Sequence, residues 1–221
     1  MSKKLVLPDS PSVANAAKDG RMSAPSARRN AQAIRDVVAR TISNTGHVLE
    51  IASGTGEHIV GLGQAHPAVT WQPTDIDPDR LVSIAAWIAA QGGENILPPR
   101  ELDVSQPGWS DGFTPQDAVL LSNLLHLVSA DVAQNVVHET AAVLKPNGVS
   151  IYYGPFMRGQ DFASPGDQQF HQSLVSQDPL IGYKSLEQVQ SWQIAAGLQP
   201  SPPVPMPANN LILIARKRVS T

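Results

Sequence analysis

The stretch Val48-Leu-Glu-Ile-Ala-Ser-Gly-Thr-Gly-Glu57 decides the fold, because an apolar run leads directly into two glycines. The apolar and β-branched residues predict a strand over 47–52, and the glycines predict a tight turn that opens a helix. Gly54 and Gly56 carry no Cβ atom, so the backbone between strand and helix can approach a ligand closely. Strand, glycine turn and helix in this order favour a nucleoside site, but an ordinary turn containing glycine would have the same pattern.

The residues after the turn indicate which kind of nucleoside ligand could bind there. A dinucleotide site of the Gly-x-Gly-x-x-Gly type needs a third small residue, which lets the helix pack tightly while pyrophosphate sits at its N-terminus. Ile59 occupies that position and speaks against NAD or FAD, and no Gly-Lys-Ser or Gly-Lys-Thr sequence indicates a triphosphate loop. The remaining expectation is an adenosyl ligand without phosphates, with an NAD-dependent oxidoreductase as an alternative.

Strands and helices alternate through the rest of the chain, which is typical of an α/β fold with right-handed crossovers and a mostly parallel sheet. Helices are expected over 27–41, from the glycine turn to about residue 66, and over 81–91, 132–144 and 185–196. Further strands are expected over 69–74, 101–104, 117–122, 149–153 and 210–216. In such a sheet the ligand lies at the carboxyl ends of the strands.

Acidic residues stand at two of the expected strand ends. Asp75 follows the second strand, where a carboxylate can accept hydrogen bonds from both ribose hydroxyls. An acid in Asp75-Ile-Asp-Pro78 would also cap the next helix, and we assign the ribose to Asp75 and the cap to Asp77. Asp103 ends the third strand, where it would accept a hydrogen bond from the adenine amine while Val104 or Leu102 packs on the ring.

The composition limits the class of protein. The 221 residues are 42% hydrophobic and 16% charged, which is typical of one globular domain rather than a disordered chain. A net charge of −3 without a dense basic run argues against nucleic acid and membrane surfaces as partners. No apolar stretch is long enough for a signal peptide or a membrane span, so a soluble, cytoplasmic protein is expected. The chain has no cysteine and its histidines lack metal-ligand spacing, so we expect no metal.

Together these elements resemble the class I S-adenosylmethionine-dependent methyltransferases. The matching features cover roughly residues 45–153: the Glu-x-Ala-x-Gly-x-Gly loop, Asp75, Asp103, the strand Asp117-Ala-Val-Leu-Leu-Ser-Asn123 with His126 after it, and Leu144-Lys-Pro-Asn-Gly148. The resemblance implies a Rossmann-like, doubly wound sheet of seven mostly parallel strands, with helices on both faces and an antiparallel last strand. The sequence departs from the family at Ala52, where glycine is usual, and we expect a slight shift of the loop there.

A narrower resemblance covers nearly the whole chain. Segments similar to the methyltransferase-like protein 26 family are Arg29-Asn30, Trp71-Gln-Pro-Thr-Asp75, Ser83-Ile-Ala-Ala-Trp87, Tyr153-Gly-Pro-Phe156 and Met206-Pro-Ala-Asn-Asn210. That family usually has Glu-Arg-Asn where this chain has Arg28-Arg29-Asn30, and Ser-Asn near Gly166-Asp167. These departures lie outside the cofactor loop, so they bear on the substrate more than on the fold.

The expected organisation is one methyltransferase domain over 1–221. Its parts are a loosely ordered arm over 1–24, a lid-like helix over 25–43, a cofactor-binding core over 45–153 and a substrate-side segment over 154–221. S-adenosylmethionine would be the methyl donor, S-adenosylhomocysteine the product and a small molecule the acceptor. A monomer and a homodimer both remain open, and so does a non-catalytic protein that binds the cofactor or a protein partner.

The motifs and the resemblance nominate individual site residues. The expected cofactor-binding residues are Asn30, Glu50, Ala52, Ser53, Gly54, Gly56, Asp75, Ile76, Asp103, Val104 and Asn123. The candidates for catalysis are Asn123, His126 and Tyr153. Methyl transfer needs mainly alignment and exclusion of water, and a base only if the nucleophile arrives protonated. His126 is the candidate base, but the simpler interpretation is a histidine packed in the core. Tyr153 could equally be part of the pocket wall.

Overall fold

The computed structural model describes residues 15–17 and 19–218. In chain order its strands are β1 (Asn15–Ala16), β2 (Met22–Ser23), β3 (Gly46–Ile51), β4 (Val69–Asp75), β5 (Arg100–Glu101), β6 (Gln116–Ser122), β7 (Leu144–Gly154), β8 (Leu198–Pro200), β9 (Val204–Pro205) and β10 (Leu211–Lys217). Its α-helices are α1 (Pro25–Thr41), α2 (Glu57–Ala65), α3 (Pro78–Gln91), α4 (Ala130–Val143), α5 (Pro165–Gln177) and α6 (Leu186–Ala195).

The central sheet has the strand order β5-β4-β3-β6-β7-β10-β8, and β9 pairs beside β10. The neighbours from β5 to β7 are parallel, whereas β10 runs antiparallel to β7, β8 and β9. The predicted α/β class, with a mostly parallel sheet and an antiparallel last strand, is confirmed. The two-residue β9 brings the sheet to eight strands rather than the expected seven.

Helices cover both faces of the sheet, because the central strands bury side chains on each side. Leu49 and Ile51 of β3 point into one core with the apolar residues of α4 and α6. Val48 points the other way, into a second core with residues of α1, α2 and α3. Since alternate residues of a strand face opposite sides, this short apolar run supplies both cores.

Several element boundaries differ from the prediction, and two of these differences have a visible cause. The chain passes from α4 directly into β7 at Leu144, while the segment over 145–148, expected to stop the helix, forms an irregularity in the strand. Here Gln116 pairs with Leu144 but Ala118 pairs with Val149. The strand predicted over 101–104 is β5, and it ends at Glu101. The chain turns there because the Asp103 side chain accepts the backbone N–H of Ser105.

The described part of the expected N-terminal arm packs on α2 and α3. The backbone N–H of Met22 donates to Ser83 Oγ at 2.7 Å, and Trp87 Nε1 donates to the Met22 carbonyl at 2.8 Å. The Ala24 N–H donates to Glu57 Oε2 at 2.8 Å. These bonds attach the start of α1 to the helix that follows the glycine turn. Residues 1–14 and 18 of the arm lie outside the described residues.

Within the described residues, the helices are all too short or too polar to cross a membrane.

Candidate functional site

Two hydrogen bonds join the turn after β3 to the end of β4. The Ser53 N–H donates to the Thr74 carbonyl at 2.8 Å, and the Thr74 N–H donates to Ser53 Oγ at 3.2 Å. The backbone of Ala52 is left-handed, with φ of 53°. The loop therefore keeps the conformation that glycine usually adopts in the family, with an alanine in its place.

The two glycines of the turn have different roles. Gly54 has φ of 59°, and a Cβ added there would meet open space, with the Ala52 carbonyl oxygen 4.0 Å away. Gly56 has φ of 92°, and a Cβ added there would lie 2.9 Å from the Ile84 Cα of α3. The side of Gly54 where a Cβ would stand is thus open, whereas Gly56 leaves room for the packing of α3.

Asp75 ends β4 directly beside the glycine turn. Its Oδ2 accepts the Gly54 N–H at 2.9 Å, and its Oδ1 accepts the Asp77 N–H at 3.0 Å. The Asp77 side chain accepts the Asp79 N–H and so caps α3, as expected. Burial raises the pKa of Asp75, against the lowering effect of the two backbone hydrogen bonds. Each carboxylate oxygen keeps a lone pair for a ligand hydroxyl.

Glu50 is a buried carboxylate that lines the same space. Only 2% of its surface is exposed, and its Oε2 has no hydrogen-bond partner among the described residues. Burial raises the pKa of Glu50 to about 7, and the neighbouring charge of Asp75 adds to the rise. A buried and unpaired acid is costly for a fold, so it marks a place where a ligand donor fits.

A cavity of about 640 Å³ opens at the carboxyl ends of the central strands. Residues from α1, the β3 turn, the ends of β4, β6 and β7, α5 and the segment before β10 line it. Of the expected site residues it brings together Asn30, Glu50, Ala52, Ser53, Gly54, Asp75, Asn123, His126 and Tyr153.

Four expected cofactor residues lie off the cavity wall. Gly56 packs under α3, and Ile76 is 56% exposed at the surface. Asp103 binds its own turn, accepting hydrogen bonds from Ser105 and Gln106, which lower its pKa. Val104 packs against the core beside α4. The Leu102 N–H donates to the Asp75 carbonyl at 3.0 Å, which holds the residues after β5 beside the end of β4.

Asn123, Tyr153 and Asn30 lie together on the wall. Asn123 is left-handed, with φ of 58°, and its N–H donates to the Tyr153 carbonyl at 2.8 Å. The Asn30 amide lies against the Tyr153 hydroxyl, whose pKa is raised by burial. Asn30 is itself buried, and its Oδ1 has no partner among the described residues. Asn30 Oδ1 can therefore accept a hydrogen bond from a ligand without the loss of a hydrogen bond of the fold.

His126 is both packed and on the cavity wall. Its ring lies 5.9 Å from those of Phe170 and Tyr183, in edge-to-face geometry. Burial and, to a lesser extent, the positive charge of Lys184 lower the pKa of His126 to about 3. The imidazole is therefore neutral at physiological pH. It can accept a hydrogen bond from an acceptor, but it is a weak base.

The C-terminal segment supplies wall residues that sequence reasoning missed. They are Asp167 and Phe170 of α5, and Tyr183 from the loop before α6. The pattern of α5 is weak because Leu174 is its one buried hydrophobic residue, so no helix was expected there. The available signal was the departure from the methyltransferase-like protein 26 pattern at Gly166-Asp167.

The described residues contain no group of three His, Asp or Glu side chains arranged to hold a metal ion. The absence of a metal from the functional protein stays a prediction.

Comparisons with known proteins agree with this fold. The family model described as "Protein of unknown function (DUF938)" matches residues 21–217. An O-methyltransferase family protein from Burkholderia thailandensis superposes with a TM-score of 0.75 at 19% identity, covering 86% of this chain and 57% of that chain. An O-methyltransferase family 2 protein from Planctomyces limnophilus, in complex with apigenin, has a TM-score of 0.71 at 22% identity, with 87% and 57% covered. Human N-acetylserotonin methyltransferase, in complex with SAM, superposes with a TM-score of 0.67 at 16% identity. The match covers 85% of this chain and 55% of that chain.

This chain spans little more than half the length of those three structures. At such low identities the likeness establishes the fold alone, and the predicted Rossmann-like fold is confirmed. The narrower resemblance to the methyltransferase-like protein 26 family stays a prediction.

Proposed function

The chain belongs to the DUF938 family, and we propose that it is an S-adenosylmethionine-dependent methyltransferase acting on a small-molecule acceptor. The observation that carries this proposal is the hydrogen bond from Gly54 to Asp75 on the cavity wall. It holds the open glycine turn and Asp75, the proposed ribose acid, side by side at the carboxyl ends of parallel strands, where nucleosides bind in such folds.

The residues on the wall fit the parts of S-adenosylmethionine. Asp75 would accept the ribose hydroxyls, while Gly54 leaves space beside them. The unpaired Glu50 carboxylate suits the α-ammonium group. Ile76 and Asp103 would bind adenine beside the ends of β4 and β5. Gly56 and Val104 would act indirectly, Gly56 through its packing on α3 and Val104 through its packing on the core.

The methionine carboxylate has a suitable place at the start of α1. This helix begins at Pro25, with no acid in its first turn, and the Glu57 carboxylate beside it already accepts the N–H of the N-cap residue Ala24 at 2.8 Å. The backbone N–H groups of Ser26 and Ala27 belong to that turn, and both residues line the cavity with Arg29 and Asn30. Free N–H groups at a helix N-terminus favour an anion. The lid-like role expected for this helix remains part of the proposal.

When bound, S-adenosylmethionine supplies a methyl group on a positively charged sulfur and leaves as S-adenosylhomocysteine. The protein's contribution would be alignment and exclusion of water. Asn123 and Tyr153 would orient the acceptor near the end of β7. The neutral His126 would accept a hydrogen bond from the acceptor O–H or N–H and would take its proton only when the acceptor is acidic enough.

Two rival functions predict different behaviour. An NAD-dependent oxidoreductase would need a small residue at position 59, but Ile59 is fully buried in the core between sheet and helices. A change in NADH fluorescence on mixing would favour that rival. A non-catalytic binding protein would bind S-adenosylhomocysteine but transfer no methyl group to any member of a metabolite pool.

Calorimetric titration with S-adenosylhomocysteine tests the proposal. The wild-type protein should bind it, and Asp75→Ala should abolish binding. Asp77→Ala is the matched control, since it removes the cap of α3 from the same loop but leaves the ribose contact. No binding to the folded wild-type protein would refute the proposal.

A further inference from the structure

Asp167 brings a carboxylate to the cavity wall far from the glycine turn along the chain. Its Oδ1 accepts the Tyr183 hydroxyl at 3.2 Å. Its Oδ2 accepts Ser164 Oγ at 2.6 Å and Asn209 Nδ2 at 3.2 Å. All three donors are neutral. The carboxylate is thus held in position, but these contacts do not neutralise its charge.

No cationic side chain of the described residues forms an ion pair with Asp167. Two arginines, Arg29 and Arg80, line the cavity. The charge of Arg29 acts to lower the pKa of the Tyr153 hydroxyl, and that of Arg80 acts to lower the pKa of the Asp75 carboxyl. Lys184 is buried behind the wall, where its ammonium group donates to the carbonyls of Val128 and Gly182.

The wall beside Asp167 is aromatic. Phe170, Tyr183 and His126 all line the cavity, and their ring centroids are 5.9 to 6.1 Å apart in edge-to-face pairs. We call these three rings the aromatic wall. Because the Tyr183 hydroxyl donates to Asp167, the ring is held next to the carboxylate. Aromatic faces and a carboxylate both attract cations.

We propose that this end of the cavity binds an acceptor that carries an ammonium group, held by Asp167 and the aromatic wall. This inference rests on the proposed methyl-transfer function, which does not itself specify the charge of the acceptor. An acceptor bearing a carboxylate would meet the charge of Asp167. The nearby Arg158, whose guanidinium donates to the Asn209 carbonyl at 3.4 Å, is exposed and does not line the cavity. A neutral acceptor would leave that charge unpaired in a half-buried site.

Asp167 also has a structural role. The Ser164 side chain accepts the Asp167 N–H at 3.2 Å, which caps the start of α5, and the carboxylate accepts the Ser164 hydroxyl in return. A residue that served only this cap would affect the stability of α5. It would not make the cavity select ligands by charge, so charge selectivity separates the two roles.

The test uses two probes of similar size and opposite charge, phenethylamine and 3-phenylpropanoate. Each is titrated calorimetrically into the full chain saturated with S-adenosylhomocysteine. The wild-type protein should bind phenethylamine at least about tenfold more tightly, as expected for one charge-assisted contact. Asp167→Asn keeps the shape but loses the charge, so it should lose this preference. Asp161→Asn, an exposed acid before α5, should keep it.

Several results would overturn the inference. They are equal or tighter binding of 3-phenylpropanoate by the wild-type protein, no binding of either probe, or an unchanged preference in folded Asp167→Asn. The wild-type comparison needs no variant, so it decides the question even if Asp167→Asn does not fold. If S-adenosylhomocysteine does not bind, the proposed function fails, and the two probes are then compared on the unliganded protein.

Discussion

The backbone N–H of Gly54 donates a 2.9 Å hydrogen bond to Oδ2 of Asp75. This bond joins the turn after β3 to the end of the adjacent parallel strand, β4. The acid that would bind the ribose therefore also sets the position of the turn that gives the cofactor space. Substitutions in the turn should separate effects on binding from effects on folding.

Gly54→Ala should mainly weaken ligand binding, whereas Gly56→Ala should mainly destabilise the fold. At Gly54 an added methyl group meets no atom of the fold, so the left-handed backbone should cost only about 1 kcal/mol. The methyl group would stand in the cavity, and affinity for S-adenosylhomocysteine should fall about tenfold or more. At Gly56 it meets the backbone of α3, so unfolding free energy should fall by about 2–4 kcal/mol.

Chemical denaturation and calorimetric titration of both variants measure these effects. Each variant acts as the control for the other, because both place alanine at a left-handed position of the same turn. Unaltered affinity in Gly54→Ala would show that its open side does not face the cofactor.

The order of strands and helices followed from the sequence, because it depends on local patterns. The apolar runs of β3, β4 and β6 are bounded by glycine or acidic residues, which makes both their type and their ends visible. The weak pattern of α5 hides a helix in which Leu174 is the one fully buried hydrophobic residue, while Phe170 and His171 pack on Tyr183. The early start of β7 was also hidden, since Pro146 and Gly148 look like a helix stop but lie in an irregular strand.

The cofactor end of the site could be predicted better than the acceptor end. Glu50, Gly54 and Asp75 lie next to strand ends, and strand ends meet at one edge of the sheet. Asp167 and Tyr183 reach the cavity only through the tertiary packing of α5 on the loop before α6, which no local pattern encodes. Asp103 was expected on adenine because it follows a strand, but the hydrogen bonds of its side chain to Ser105 and Gln106 depend on the geometry of the turn.

Glu50 should make the unliganded protein less stable as the pH rises. Its pKa is about 7 in the folded protein and 4.5 as a free side chain, so the folded state retains the proton longer. The stabilising contribution is complete below pH 4.5 and is lost as the pH rises through 7. At pH 8 the loss is about 3 kcal/mol, at 1.36 kcal/mol per pKa unit.

Glu50→Gln should therefore be more stable than the wild-type protein at pH 8, by about that amount. The difference should shrink towards zero below pH 4.5. Urea denaturation across this range measures it, and Glu101→Gln, which removes an exposed acid, is the control. A Glu50→Gln protein that is less stable than wild type at pH 8 would contradict the assignment of a buried, unpaired charge.

Binding of S-adenosylhomocysteine at pH 6 should release a proton from Glu50. The side chain is mostly protonated at this pH before binding, and the ligand ammonium group would favour its ionised form. Calorimetry in buffers of different ionisation enthalpy should give a release approaching one proton. Glu50→Gln should show weaker binding without this release. An equal release from the variant would assign the proton to another group.

His126 should not produce an acid limb in the pH profile of methyl transfer between pH 5 and 9. Its imidazole stays neutral over that range because burial lowers its pKa to about 3. His126→Gln should lower kcat by about 10²-fold or more if the ring accepts the proton, while the affinity for S-adenosylhomocysteine stays unchanged. An acid limb near pH 6.5 that disappears in the variant would mean that the side chain is more exposed than the packing indicates.

Ala52 should tolerate glycine but not valine. Alanine at φ of 53° costs about 1 kcal/mol, and Ala52→Gly removes this cost. Glycine also makes the unfolded chain more flexible, which costs about 0.4–1 kcal/mol. The two effects nearly cancel, so the unfolding free energy should change little. Ala85→Gly, on the exposed face of α3, should instead lose about 1 kcal/mol.

Ala52→Val places a β-branched side chain in the same left-handed conformation, where it is strongly disfavoured. Because Ala52 lines the cavity, the two extra methyl groups would also narrow the space beside Gly54. We therefore expect lower stability and weaker binding of S-adenosylhomocysteine together, whereas Ala52→Gly should keep wild-type affinity. Thermal melting with and without the ligand separates the two effects. A ligand-induced shift of wild-type size in Ala52→Val would mean that the turn is farther from the cofactor than proposed.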